Sequence, residues 1–322
     1  MRIIEWNCQG AFRKKNKKIL ELNPDILIVT ECESEAKLEF GKLTKTPNDF
    51  FWYGYGHKGI GVFSYCDYKF ELLKEFNPKF RYIVPFKVYD NESSFLLFAV
   101  WAKDNIENPE TGYITQVWLA LQYYARLLNL NSIFIGDFNS NQIWDNKHNV
   151  NYNHTAVVDF FKENDIYSLY HEQNNVAHGQ EKDYSFHMHR KIVKPYHIDY
   201  CFASKEILKT GFNIHLCEPN EWLEYSDHVP MIVQINKPKR IIKIHNSLSE
   251  NLTYRINKLN SLTVEKFESV INQLKTKGSI YDLTGILEEK IQIFETMEYL
   301  EKIDKSITEL IKTGYFLIPH NA

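Results

Sequence analysis

What most restricts the folds open to this chain is a series of short apolar runs that break off at a carboxylate or a carboxamide. Ile3, Ile4 and Trp6 lead into Asn7, and DILIVTEC (25–32) carries Glu31 near its end. Ile133, Phe134 and Ile135 are followed by Asp137 and Asn139; Asp199 interrupts YHIDYCFA (196–203), and Asp227–His228 immediately precedes VPMIVQI (229–235). Runs so short, rich in β-branched and aromatic residues, read as strands. One strand-end carboxylate is usually a turn or cap. Acids and amides gathered this way from distant segments point instead to a single place where strand ends meet, which is where layered α/β proteins bind ligands.

Further strands are expected at GIGVFSYC (59–66), RYIVPFKVY (81–89) and SFLLFAVWA (94–102), the last two joined by the turn-rich DNES. Pro85 has no amide proton to give a ladder, so the strand that holds it is expected to be irregular or at a sheet edge. Between the strands, FRKKNKKILELNPD (12–25), QVWLALQYYARLLNLN (116–131) and AVVDFFKENDI (156–166) carry helical apolar spacing, the first ending near Pro24. Strands outnumber helices, yet helices lie between them, so the expected class is α/β, with sheets flanked by helices.

After KPKR (237–240) the pattern changes. The rest of the chain balances basic against acidic residues and reads as helices over about 247–260, 263–276 and 283–312. In the last, Leu287, Ile291, Phe294, Met297, Leu300, Ile303, Ile307 and Ile311 make one apolar face, expected to pack in a core or to serve self-association or a partner helix. The expected division is a main domain at 1–237 that carries these strands and an all-helical C-terminal domain at 241–322.

A hydrophobic fraction of 44% argues against general disorder, and a net charge of −3 argues against a blanket affinity for polyanions. An enzyme gripping one phosphodiester is less affected by that charge than a protein that must contact many phosphates. The five cysteines form no CxxC pair, which suggests reduced thiols. Glu5 stands where a signal peptide would be apolar, and no apolar run reaches the ~18 residues of a membrane span. The expectation is a soluble cytoplasmic protein with no transmembrane segment.

Carboxylates with amide oxygens suit Mg²⁺ or Mn²⁺, hard ions that keep water and phosphate in their shells. GYGHKGIGVF (54–63) fits neither of the common glycine-rich phosphate loops. The ordered set WNCQG (6–10), TECE (30–33), KGIGVFS (58–64), GDFNS (136–140), HIDYCF (197–202) and YSDHVPM (225–231) resembles the endonuclease/exonuclease/phosphatase superfamily over residues 1–237. That superfamily includes DNase I-like nucleases, abasic-site endonucleases, sphingomyelinases and inositol-phosphate 5-phosphatases. The resemblance implies a four-layered α/β sandwich of two packed, mainly antiparallel sheets with the site at one end. It implies that Asn7 and Glu31 lie at the metal, Glu31 being the principal ligand, with Asp227 as a terminal acid also able to reach the metal. Asp137 and Asn139 would position the attacking water and the scissile phosphate, and Asp199 would orient His228 toward a phosphate oxygen. Hydrolysis would proceed by in-line attack of water, without a phosphoenzyme. Either Asp137 or the Asp199–His228 pair could take the water's proton.

One position departs from the pattern. AVWAKD (99–104) puts Trp101 where many relatives have a histidine or tyrosine. An indole cannot exchange a proton at neutral pH, but it can stack on a base. Lys103 is expected to replace some of the lost charge, and His197, two positions from Asp199, to share its strand face. Arg81, His57, His154, His187, His189 and Arg190 are weaker candidates for a phosphate-binding rim. Trp52, Tyr53, Tyr55 and Trp144 add stacking candidates. Nucleic acid is the leading substrate, short, single-stranded or damaged as readily as duplex. The alternatives are a small phosphorylated metabolite or lipid headgroup, and a catalytically silent scaffold that uses its helical tail.

Overall fold

A computed structural model describes residues 1–80, 82–91, 93–105, 111–128 and 131–236. The three helices expected beyond 240, and with them the 241–322 domain, lie outside the described residues, as does Arg81. Each apolar run upstream is a strand. β1 (Arg2–Asn7), β2 (Ile26–Cys32), β3 (Asp49–Tyr55), β4 (Lys58–Ser64), β13 (Phe212–Leu216) and β14 (Met231–Ile235) form one sheet in the order β13-β14-β1-β2-β4-β3. β5 (Lys69–Leu72), β6 (Ile83–Tyr89), β7 (Ser94–Trp101), β8 (Ser132–Asp137), β9 (Ile166–Ser168) and β12 (Asp199–Ser204) form a second, ordered β5-β6-β7-β8-β12-β9. Only β1–β2 and β7–β8 are parallel pairs in these sheets. A small ribbon of β10 (Phe186–His187) and β11 (Pro195–Tyr196) completes the β structure.

Parallel neighbours need a crossover, and helices supply it. α1 (Phe12–Leu20) joins β1 to β2, burying Phe12, Asn16 and Ile19 on one face. After the short α2 (Glu35–Leu38), α3 (Tyr113–Tyr123) joins β7 to β8. α4 (His154–Glu163) and α5 (Leu169–Asn174) follow. Alternate strand residues face opposite ways. Ile3, Ile26, Ile28 and Val62 of the first sheet meet Val84, Leu97, Ile133 and Ile135 of the second in one core between the sheets. On the far side of the first sheet Ile4, Trp6, Leu27 and Val29 pack with Phe12 and Ile19 of α1. On the far side of the second, Phe161 of α4 lies against Phe134 and Phe202. The result is an α/β sandwich of two mixed sheets packed with helices. Among the described residues no helix is long and apolar enough to cross a membrane.

Several boundaries differ from the sequence expectation. α3 begins at Tyr113, before the expected residue 116, and stops at Tyr123. α4 starts at His154 because the Asn153 side chain accepts the Ala156 amide at 2.9 Å, an N-cap, and Ile166 already belongs to β9. Pro85 sits in the second strand of its sheet, not at its edge. Its carbonyl accepts the Leu73 amide at 3.0 Å, so its proton-less nitrogen faces the same way, just beyond the end of the short edge strand β5. β12 begins only at Asp199, leaving His197 before the strand.

Gly136 prepares the site. It has φ +149°, and a Cβ there would lie 1.8 Å from the Val100 carbonyl oxygen of neighbouring β7. Only glycine lets β8 press this close and deliver Asp137 at its end. Gly136→Ala is expected to lower stability by about 2–4 kcal/mol through overpacking and backbone strain, read as a lower urea midpoint.

Candidate active site

β8 and β12 are antiparallel, with Asp137 directly opposite Asp199. β1 lies in the facing sheet and ends at Asn7. Its amide donates to Asp137 Oδ2 at 3.0 Å and lies 3.5 Å from Glu31 Oε1. Glu31 reaches this point because β2 bulges. Val29 pairs with Gly61 and Cys32 with Gly59, so two residues oppose one, and Glu31 has φ +56°. Its other oxygen forms an ion pair with Lys58. Asn139, with φ +48°, folds back over Asp137 after the strand ends. Its backbone and side-chain amides donate to the Asp137 carboxylate at 2.8 and 3.0 Å, and its Nδ2 also reaches the Ala102 carbonyl at 2.9 Å.

His228 completes the group from the segment before β14. Its Nδ1 is 2.8 Å from Asp199 Oδ2, its backbone carbonyl accepts the Trp6 indole N–H, and its ring lies 4.8 Å from that of Phe186. With Nδ1 held by Asp199, Nε2 is the nitrogen left for a substrate. Burial alone would lower the imidazole's pKa, but the Asp199 charge and hydrogen bond, with Asp137 and Asp227 nearby, raise it to about 9. Asp137 is raised to about 7 by burial and then by Asp199, against the pull of His228, Asn7 and Asn139.

The structure therefore brings together Asn7, Glu31, Asp137, Asn139, Asp199 and His228. Asp227, Trp101, Lys103 and His197 make their side-chain contacts elsewhere. Asp227 sits toward the rim, where its Oδ2 accepts Gln9 Nε2 at 2.8 Å, and Gln9 in turn accepts Arg190 Nε at 3.1 Å. Trp101 ends β7 in register with Asp137, yet it is only 4% exposed and packs on Tyr82 with ring centroids 4.6 Å apart. It belongs to the core between the sheets and offers no face to a base. Lys103 lies outside, 5.4 Å from the Trp101 ring and 4.0 Å from Asp104. His197 does not share a strand face with Asp199, because the strand starts after it. It is buried, with Nδ1 at 2.8 Å from the Asp183 carbonyl and its ring 4.5 Å from Tyr170. Among the stacking candidates, Trp52 donates to the Cys32 carbonyl at 3.2 Å and Trp144 packs on Tyr196, while Tyr55 is exposed.

Glu5 is the group the sequence reading passed over. Two residues before Asn7 and therefore on the same face of β1, it is fully buried, with no partner for either oxygen. Burial, then the charges of Asp199 and Asp137, push its pKa well above the carboxylate range. An acid set among the apolar Ile3, Ile4 and Trp6 was the available signal. Lys58, reaching Glu31 from β4, was likewise hidden in a glycine-rich segment.

Two groups among the described residues bring metal-ligating atoms within 4.8 Å of one another: Asp137, Asp199 and His228, and separately His171, His178 and Glu181. The first fits a hard divalent cation. Asp199 Oδ1 is buried without a partner, the Asp137 carboxylate is beside it, and Glu31 adds carboxylate oxygens at the same strand ends, next to the Asn7 carboxamide.

No family model matches the sequence, and no curated protein gives a significant match. Solved structures do match. An AP endonuclease from Archaeoglobus fulgidus aligns at 15% identity with TM-score 0.55, over 73% of this chain and 99% of that one. The catalytic domain of Xenopus laevis APE2 aligns at 15% identity with TM-score 0.52, over 74% of this chain and 93% of that one. D. rerio TDP2, complexed with a single-strand DNA product, aligns at 16% identity with TM-score 0.52, over 74% and 99%. The chain shares its fold with these three proteins.

Because its folded pKa is raised, charged His228 adds stability that is complete below its usual 6.5 and is lost as pH rises through about 9. In metal-free protein, ¹⁵N NMR is expected to show the His228 imidazolium persisting to about pH 9. Asp199→Asn is expected to move that midpoint down, since burial then acts with less opposing charge.

Proposed function

We propose that the chain is a divalent-metal-dependent phosphodiester hydrolase acting on nucleic acid. The observation that carries this reading is the hydrogen-bonded Asp199–His228 pair set directly against Asp137 and Asn7 at the strand ends of two facing sheets. The shared fold supports it, since one of the matching proteins is named an AP endonuclease and another was solved with a single-strand DNA product. Asn7 and Glu31 would hold Mg²⁺ or Mn²⁺, with Asp227 available from the rim. The bound ion supplies positive charge and Lewis acidity at the phosphate.

The protein's own groups would do the rest. Asn139 and Asn7 fix the Asp137 carboxylate, whose pKa near neutrality suits it to take a proton from the attacking water. His228, cationic below about pH 9, faces the charge that develops on the phosphate, and Asp199 keeps the ring from turning. With Trp101 buried, base stacking falls to exposed groups such as Tyr55. The modest net charge favours a short or single-stranded substrate over extended duplex.

The test is Mg²⁺- or Mn²⁺-dependent cleavage of single-stranded DNA, duplex DNA, RNA and a panel of small phosphomonoesters, each beside Asp137→Ala and His228→Ala. Both substitutions are expected to cost about 10²–10⁴-fold in kcat/KM. Full activity in both variants would sink the assignment of these residues. A preference for the small esters would replace the substrate class while leaving the site in place.

A further inference from the structure

The hydrogen bond between Asp199 and His228 joins residues from different sheets. Asp199 opens β12 in the second sheet, while His228 lies just before β14 in the first. Among the described residues no ladder pairs these two strands with one another. The bond is 2.8 Å long and both side chains are buried, so a displacement of either backbone is felt directly at His228 Nδ1. The alignment of the pair therefore depends on what ties the two segments together.

The start of the β10–β11 ribbon supplies the tie. Phe186 of β10 forms an antiparallel bridge with His228, flanked by two backbone hydrogen bonds. The Val229 amide donates to the Ser185 carbonyl at 2.8 Å, and the His187 amide donates to the Asp227 carbonyl at 2.7 Å. The main chain is thus held on both sides of His228, and the Phe186 ring packs on the imidazole with centroids 4.8 Å apart. One side chain carries this hold across to the other sheet. Ser185 Oγ accepts the amides of Ile198 and Asp199 at 3.1 and 3.0 Å. A hydroxyl oxygen has two acceptor sites, and these amides take both. Ser185 is fully buried, far from any solvent that could replace it. It is bonded to Asp199 through its side chain and to the residue after His228 through its carbonyl.

We propose that Ser185 is a positioning residue for the Asp199–His228 pair, its hydroxyl setting where β12 presents the carboxylate that orients the imidazole. This rests on the reading of that pair as part of a hydrolytic site, and extends it to a residue that touches neither metal nor phosphate. Without Oγ, two buried amides lose their acceptor, and the main chain at 198–199 shifts to find others. The shift falls on the aim of His228 Nε2. It does not fall on Asn7 and Glu31, which β1 and β2 carry. An interaction that matters for orientation at the reacting phosphate is read in kcat more than in KM.

The experiment compares Ser185→Ala and Ser185→Thr with the wild-type full chain. Proton NMR of the metal-free protein reads the low-field resonance of His228 Nδ1–H in its bond to Asp199, identified by its loss in His228→Gln. In Ser185→Ala this resonance is expected to move upfield or to broaden by exchange with water. In Ser185→Thr, which keeps the oxygen, it is expected to stay. On single-stranded DNA with Mg²⁺, Ser185→Ala is expected to lower kcat by about 10–10²-fold with KM changed by no more than about twofold. Ser185→Thr is expected to restore most of that loss. Ser185→Ala removes a single heavy atom, and circular dichroism checks that it folds. A folded Ser185→Ala that keeps the resonance in place would overturn the proposal, leaving Ser185 as a support of the ribbon alone. So would a change confined to KM or to thermal stability. The resonance is read without metal or substrate, so it tests Ser185 even if the wild-type chain cleaves no phosphate ester. That second failure would fall on the proposed function.

Discussion

Three carboxyl groups, Glu5, Asp137 and Asp199, share the dry seam between the two sheets, and one imidazole stands against them. Charges withdrawn from water are costly unless paired and hydrogen-bonded, and directly opposed like charges across a ladder cost more. Much of the local architecture answers that cost. Asn7 and Asn139 turn amides onto Asp137, the Asp199–His228 bond neutralises one acid, and Glu5 sits where its proton is strongly retained. A partly buried acid outside the seam, Glu31, is neutralised separately by Lys58. Such an arrangement is unsuited to a passive core and well suited to receiving a cation and a phosphate, whose opposite charges the same groups can sort.

The strand ends were legible because these strands are covered on both faces. A strand buried on both sides reads as a continuous apolar run, so Asn7, Glu31 and Asp137 stand out as interruptions. What could not be read were facts of the third dimension. Trp101 does end its strand in register with Asp137, but its burial depends on Tyr82, whose carbonyl accepts the Trp101 amide. His197 seemed to share a face with Asp199 because strand periodicity was extended two residues too far. Pro85 is tolerated inside a sheet because β5 is short, which nothing in RYIVPFKVY announces. β3 and β13 escaped notice because half-exposed strands mix aromatic with polar residues and leave a weak pattern.

The group of His171, His178 and Glu181 illustrates the same limit. HEQNNVAHGQE (171–181) carries no familiar metal spacing. His171 and His178 meet because α5 stops at Asn174 and Asn175, with φ +51°, turns the chain back so that the two rings stack with centroids 3.5 Å apart.

The place of β14 has a consequence for how the protein comes into being. β14 is the last strand described, yet it inserts between β13 and β1, and Ile3 pairs with Val233. Pairings of such sequence separation form slowly. During synthesis Asp137 and Asp199 emerge from the ribosome before His228 exists to face them. A growing chain must therefore hold its first strand with an open edge, and its acids without their counter-charge, until the final strand arrives. Pairing of Asp199 with His228 thus waits on the segment that leads into the strand completing the sheet.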